Sequence, residues 1–287
     1  MTEDSKTNAA DGELSPREFA AMSVAAGVAA AGGAQAADAA VAESDVTIKT
    51  PSGVCDAAFF HPQGSGPWPA AIIFPDALGL RPEFREMGRR LASSGYAVLV
   101  PNPFYRTRKA PVISGPFDFN NPADRAKLVE LQAPINAEGV ASDASALIGF
   151  LDKQPVVNRK AGIGVSGYCM GGRYTMIAAA TSPDRVAAGA SFHGGGLVTD
   201  KPDSPHLLAP RMKAQYYFGI AANDDQRQPE AKDKLREAFA AAGRPAKIEV
   251  YDKSQHGWCV KGSAVYNEPD AERAWSELLA LYKRALV

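Results

Sequence analysis

The pattern of apolar and polar positions changes character near Val46. Residues 19–41 are almost all Ala, Gly and Val, with no period that separates a buried face from a wet one. Beyond them, short apolar runs alternate with segments of helical period, which is the mark of a mostly parallel sheet with helices on both faces. Residues 70–74, 96–100, 162–165, 187–192, 215–219 and 248–251 read as buried strands. Two runs at 46–50 and 54–60, joined by Pro51-Ser52-Gly53, predict an antiparallel hairpin that opens the sheet. Phe84, Met87 and Leu91 recur at i, i+3 and i+7 on a helix that Gly95 ends. Val140, Ala144, Leu147, Ile148 and Leu151 form a second stripe, and further helices are expected over 229–242 and 270–286. The fold class is therefore α/β, with one domain over residues 46–287 and no repeats. One long irregular stretch, residues 101–121, is rich in Pro and Asn and contains FYRTR from Phe104 to Arg108; loops of that length carry function or are disordered.

Residues 1–45 read as an Ala-rich tail with two interpretations. SPREFAAMS from Ser15 to Ser23, the small-residue run after it and Ala34-Gln35-Ala36 resemble a twin-arginine export signal with its cleavage site. Pro16 stands where the second arginine belongs, and Glu3, Asp4, Asp11 and Glu13 suit a basic leader poorly. The alternative is a disordered or loosely helical tail.

Composition narrows the function. With 46% hydrophobic and 22% charged residues over 287 positions, the chain suits one soluble domain with a sizeable core. A formal net charge of -1 and no long block of like charge argue against nucleic-acid or anionic-membrane surfaces and favour a small-molecule partner. Three cysteines without CxxC spacing form neither a disulfide framework nor a zinc ribbon, and no residue cluster has metal-ligand spacing, so neither metal nor cofactor is expected.

The chemistry concentrates in GVSGYCMGG, from Gly164 to Gly172. A short strand runs into a small-residue helix, and Cys169 occupies the serine position of the nucleophile-elbow pattern G-x-S-x-G. The sharp turn lifts the side chain off the sheet edge, Gly167 and Gly171 relieve crowding, and the helix N-terminus favours a thiolate. A buried core cysteine is the competing reading. Among four histidines, His256 in SQHGW follows the last expected strand, where a base belongs in the chain order nucleophile, acid, histidine. His193 in SFHGGG comes in the wrong order and reads as structural or pocket-lining; His61 and His206 read as surface residues. The acid follows the strand at 215–219, where AANDDQ offers Asp224 and Asp225, with Asp224 favoured as the residue that orients His256.

GYCMGG, the order Cys169, Asp224, His256, and FPDALGLRPEF followed by RRLASSGYAVLVPN make the chain resemble the dienelactone hydrolase family of α/β hydrolases from about Val46 onward. The resemblance implies an α/β-hydrolase fold and attack by the Cys169 thiolate on a lactone or ester carbonyl, followed by hydrolysis of a thioester. It implies an oxyanion hole from the backbone N–H groups of Ala77 and Met170, and a secondary acid, which falls on Asp76, that engages the resting cysteine. It also places a substrate-gripping arginine where this chain has Val260, so uncharged esters or lactones are expected to compete with carboxylated ones. Tyr105, Arg106, Arg108, His193 and Trp258 are expected near the substrate. Two other readings stay open: a thiol redox role with Cys259 as resolving partner, and a silent binding module of the same fold. Among hydrolases the runner-up is a general carboxylesterase. A reactive thiol weighs toward the cytoplasm over the periplasm.

Overall fold

The computed structural model of the protein describes residues 40–286. The export-signal motif lies outside the described residues. Residues 41–45, expected in the tail, instead begin the first strand, because β1 (Val41–Thr50) stays in register with β2 (Gly53–Pro62) as far as Val41 opposite Pro62. The strand's start is hidden in the sequence because it is a polar edge: Glu43 and Asp45 hold Arg85, and Glu43 also holds Arg89.

The hairpin opens an eight-stranded sheet of order β1-β2-β4-β3-β5-β6-β7-β8. The remaining strands are β3 (Ala70–Phe74), β4 (Ala97–Pro101), β5 (Ile163–Tyr168), β6 (Val186–Phe192), β7 (Gln215–Ala221) and β8 (Ala246–Tyr251). β2 meets β4 antiparallel, and every pairing from β4 to β8 is parallel. β3 and β5 are completely buried, which explains why they read as unbroken apolar runs rather than as alternating strands.

Side-chain alternation along each strand feeds two cores. Ile72 joins Leu147 and Ile148 of α3 (Ala137–Leu151), Met176 of α4 (Met170–Thr181) and Phe239 of α6 (Ala231–Ala241) on one face. Ile73 joins Phe84 and Leu91 of α1 (Pro82–Ser93) and Trp275 and Leu278 of α7 (Glu268–Ala285) on the other. Two short helices escape the periodicity. In α2 (Pro122–Gln132) only Leu128 and Leu131 are buried, so its apolar stripe is too thin to read, although Asn121 caps it by accepting from Ala123 N–H at 2.9 Å. α5 (Ala222–Arg227) is not expected from the sequence, whereas α6 fills the helix expected over 229–242. No helix among the described residues is long and apolar enough to cross a membrane.

Because the chain runs from β3 through α1 to β4 on one side, and later returns to β5 on the other, the strand order reverses beside β3. Parallel α/β sheets form their ligand crevices at the carboxyl ends of strands at such a switch point. The ends of β3, β5, β6, β7 and β8 all deliver candidate residues there.

Candidate active site

β5 ends at Tyr168 and α4 starts at Met170, leaving Cys169 alone at the turn with φ 52 and ψ -115. A non-glycine residue at positive φ is held there by its surroundings rather than by its own preference. Two glycines make the turn passable. A Cβ on Gly167 would lie 2.1 Å from the Gly171 carbonyl oxygen, and one on Gly171 would lie 2.2 Å from that of Phe74. The elbow is thus pressed against the end of β3, and only backbone fits between.

His256 lies in the loop after β8. Its backbone N–H donates to Asn223 Oδ1 at 2.9 Å, fastening this loop to the first turn of α5, which follows β7. Its Nδ1 is 2.6 Å from Asp224 Oδ2, and the residue lines the same cleft as Cys169. Burial lowers the imidazole's proton affinity, but the bonds and charges of Asp224 and Cys169 outweigh it and raise the pKa to about 10. Asp225 turns away and pairs with Lys232 at 2.6 Å. The acid that meets His256 is therefore Asp224.

His193 directly follows β6, has φ 41 and is buried. The Cys169 N–H donates to its Nδ1 at 3.1 Å and to the Phe192 carbonyl at 3.1 Å. An accepting Nδ1 means that the proton of the neutral ring is on Nε2. Burial first, and the charge of His256 second, hold His193 well below the usual histidine range. Its ring meets His256 at 4.8 Å and Trp258 at 5.2 Å, both edge-on. Trp258 is fully buried and stacks on Tyr251, so it supports this wall from behind.

The N–H groups of Ala77 and Met170 donate to no acceptor among the described residues. Met170 opens α4, where helix geometry leaves an N–H free, and Ala77 lines the cleft with Cys169. The cleft encloses about 570 Å³ and also holds Asp76, His193, His256 and Val260.

Several expected contacts are not made. Asp76 does not engage the cysteine: Arg81 grips it with two bonds, of 2.6 and 2.9 Å, and Leu78 N–H donates to it at 2.9 Å. The two partners are five positions apart in the chain, so a local ion pair satisfies the carboxylate. Tyr105 and Arg106 face a small separate cavity, where both bond Asp143. Arg108 reaches only the Val112 carbonyl, at 3.4 Å. Cys259 is buried against Tyr168, Met87 and Trp275, outside the cleft, and its thiol is pushed far up by burial. Cys55 is a core thiol, raised to about 12 chiefly by burial. The residues that sequence reading did not single out are Ile113, Phe117 and Phe119, which the long 101–121 loop delivers to the cleft.

The chain is similar to known proteins in sequence and in fold. A "Putative carboxymethylenebutenolidase" of Methylorubrum extorquens is 29% identical over 288 residues, covering 96% of this chain and 94% of that protein. The carboxymethylenebutenolidase of Rhodococcus opacus is 25% identical over 219 residues, covering 75% of this chain and 81% of that one. A solved structure from Klebsiella pneumoniae superposes with a TM-score of 0.74 at 23% identity, spanning 85% of this chain and 99% of that one, which extends the likeness to the fold. The family model described as "Dienelactone hydrolase family" matches residues 55–286, from β2 to the end of α7 and across every residue of the elbow, acid and histidine loops, and the chain belongs to that family.

Proposed function

We propose that the protein hydrolyses a carboxylic ester or lactone with Cys169 as nucleophile, His256 as proton carrier and Asp224 as its orienting acid. The observation that carries this reading is His256, held by Asp224 at 2.6 Å, sharing the cleft with Cys169, and raised to about 10 by the two together against the effect of burial. An imidazole of that basicity keeps a proton at neutral pH, and a positive neighbour favours the thiolate form in which a cysteine attacks a carbonyl.

Sγ attacks the carbonyl carbon, a C–S bond forms, and the carbonyl electron pair moves onto oxygen. The N–H groups of Ala77 and Met170 are free to meet that oxyanion. As the tetrahedral centre collapses, the C–O bond breaks and the leaving alkoxide takes the proton from His256. His256, now neutral, draws a proton from water. The hydroxide attacks the thioester, the C–S bond breaks, and the acid product leaves with thiolate and imidazolium restored. Asp224 keeps the ring in one orientation and stabilises its charged form throughout.

Cys259 is buried and does not line the cleft that holds Cys169, which counts against a redox pair between them. A catalytic thiolate suits a reducing compartment, which favours the cytoplasm. Replacing Cys169 by Ala tests the assignment: kcat/KM for a neutral aryl ester falls by orders of magnitude with folding intact. A loss under tenfold, about 1.4 kcal/mol of transition-state stabilisation, contradicts it.

A further inference from the structure

The cleft has an exposed apolar arm as well as a catalytic floor. Ile113, Phe117 and Phe119, carried by the loop between β4 and α2, form one wall, and Val265, in the loop after His256, lines the same space. Phe117 and Phe119 pack edge to face at 4.8 Å, which fixes one ring against the other. Phe119 nonetheless leaves 56% of its surface in water and Val265 leaves 38%. Only five large hydrophobic residues among those described are this exposed, and two of them line the one cleft that contains Cys169. An apolar patch beside a reactive group marks a place that a ligand covers.

The charges of the cleft point the same way. Arg81 hydrogen-bonds Asp76 and forms an ion pair with Glu83, 3.1 Å from its Nε, so its charge is already matched by carboxylates within the lining. Lys261 is the one lining cation without an ion pair, and it is exposed at the edge. Arg106 and Arg108 are committed elsewhere. Apart from Cys169 and His256, the two acids and two cations of the lining balance, and Val260, whose side chain offers no hydrogen bond, is next to Lys261.

We infer that the substrate is an uncharged ester or lactone carrying an aryl or comparably bulky apolar arm, seated on Phe117, Phe119 and Val265, and that Phe119 determines this specificity. The inference rests on the hydrolase reading above and narrows it.

The experiment compares kcat/KM for phenyl acetate, 2-naphthyl acetate, phenyl 3-phenylpropanoate and the carboxylated 4-acetoxybenzoate. The two larger neutral esters place the arm on opposite sides of the scissile bond. At least one of them is expected to exceed phenyl acetate by about tenfold, the worth of burying a further ring. That ratio is expected to collapse toward one in Phe119→Ser and to persist in Val129→Ser, whose side chain is 70% exposed on α2, away from the cleft. The inference is overturned if neither large ester is preferred, if Phe119→Ser leaves the preference intact, or if 4-acetoxybenzoate is preferred in a manner that salt abolishes. Binding of 2-naphthol, followed by its fluorescence, separates the two layers of the argument. Absence of turnover on all four esters overturns the hydrolase reading, while 2-naphthol binding that weakens in Phe119→Ser still supports the apolar wall.

Discussion

At the scale of single residues, the site is a contest over protons. Two imidazoles touch edge-on, one driven toward the charged form by Asp224 and Cys169 and the other held neutral by burial and by its charged neighbour. His193 keeps its acceptor nitrogen toward the Cys169 N–H only while it is unprotonated, so its neutrality is part of how the elbow is held. The neighbouring aspartates differ in the same way. Asp224→Asn removes the hydrogen bond and charge that raise His256, so the alkaline limb of kcat/KM moves from near 10 toward the ordinary histidine value, and the rate falls by roughly 10⁴. Asp225→Asn frees Lys232 and leaves the rate within about threefold, as expected of an ion pair away from the reacting atoms. A pH–rate profile of both variants checks this. The sign of the stability effect follows too. A group raised on folding contributes its full stabilisation below its unfolded value of 6.5, and that contribution is lost as pH rises through about 10.

These roles were legible in the sequence as candidates, because chain order and spacing limit which residues can reach the elbow. Which of two adjacent aspartates faces the histidine depends on the first turn of α5, a six-residue helix with no periodicity to read. Asp76 illustrates the opposite case. Its placement beside the cysteine was an expectation, and the competing partner, Arg81, was visible five positions away; only the loop's geometry decides between them.

At the scale of elements, the strand–elbow–helix unit is set by glycines that admit backbone where no side chain fits. Gly167→Ala puts a methyl 2.1 Å from the Gly171 carbonyl, and the elbow must open to accommodate it. A cost of about 1–3 kcal/mol is expected, with turnover lost alongside, since Cys169 moves with the turn. Gly149→Ala is the contrast: it lies inside α3 with open space around it, so about 0.5–1 kcal/mol of stabilisation is expected from the better helix former. Thermal unfolding of the two variants, with activity measured beside it, checks the pair. The buried strands and the long amphipathic helices announced themselves in the sequence because burial on a repeating face leaves a period. The edge strand at residues 41–45 and the thin-striped α2 did not, because both face mostly solvent.

At the scale of the whole molecule, the sheet gathers five strand ends at one crevice, and the connecting loops decide what the crevice accepts. The 101–121 loop is anchored where it leaves β4 by Asn102, which is fully buried and donates to Asp56 and to the Arg108 carbonyl. From that anchor it carries Ile113, Phe117 and Phe119 to the cleft; its length marked it in the sequence as functional or disordered, without revealing the chemistry. A packed scaffold with variable loops lets one fold host different substrates while the nucleophile stays in place. The central claim is that Cys169 forms a covalent acyl-enzyme. It is tested most directly by acid-quenching the protein within its first turnover of 4-nitrophenyl acetate, then measuring intact mass and mapping the adduct. The account predicts one acetyl group per protein, located on the Cys169 peptide, with a matching burst of one nitrophenol. Sustained turnover with no adduct on Cys169, or an adduct on another residue, contradicts it.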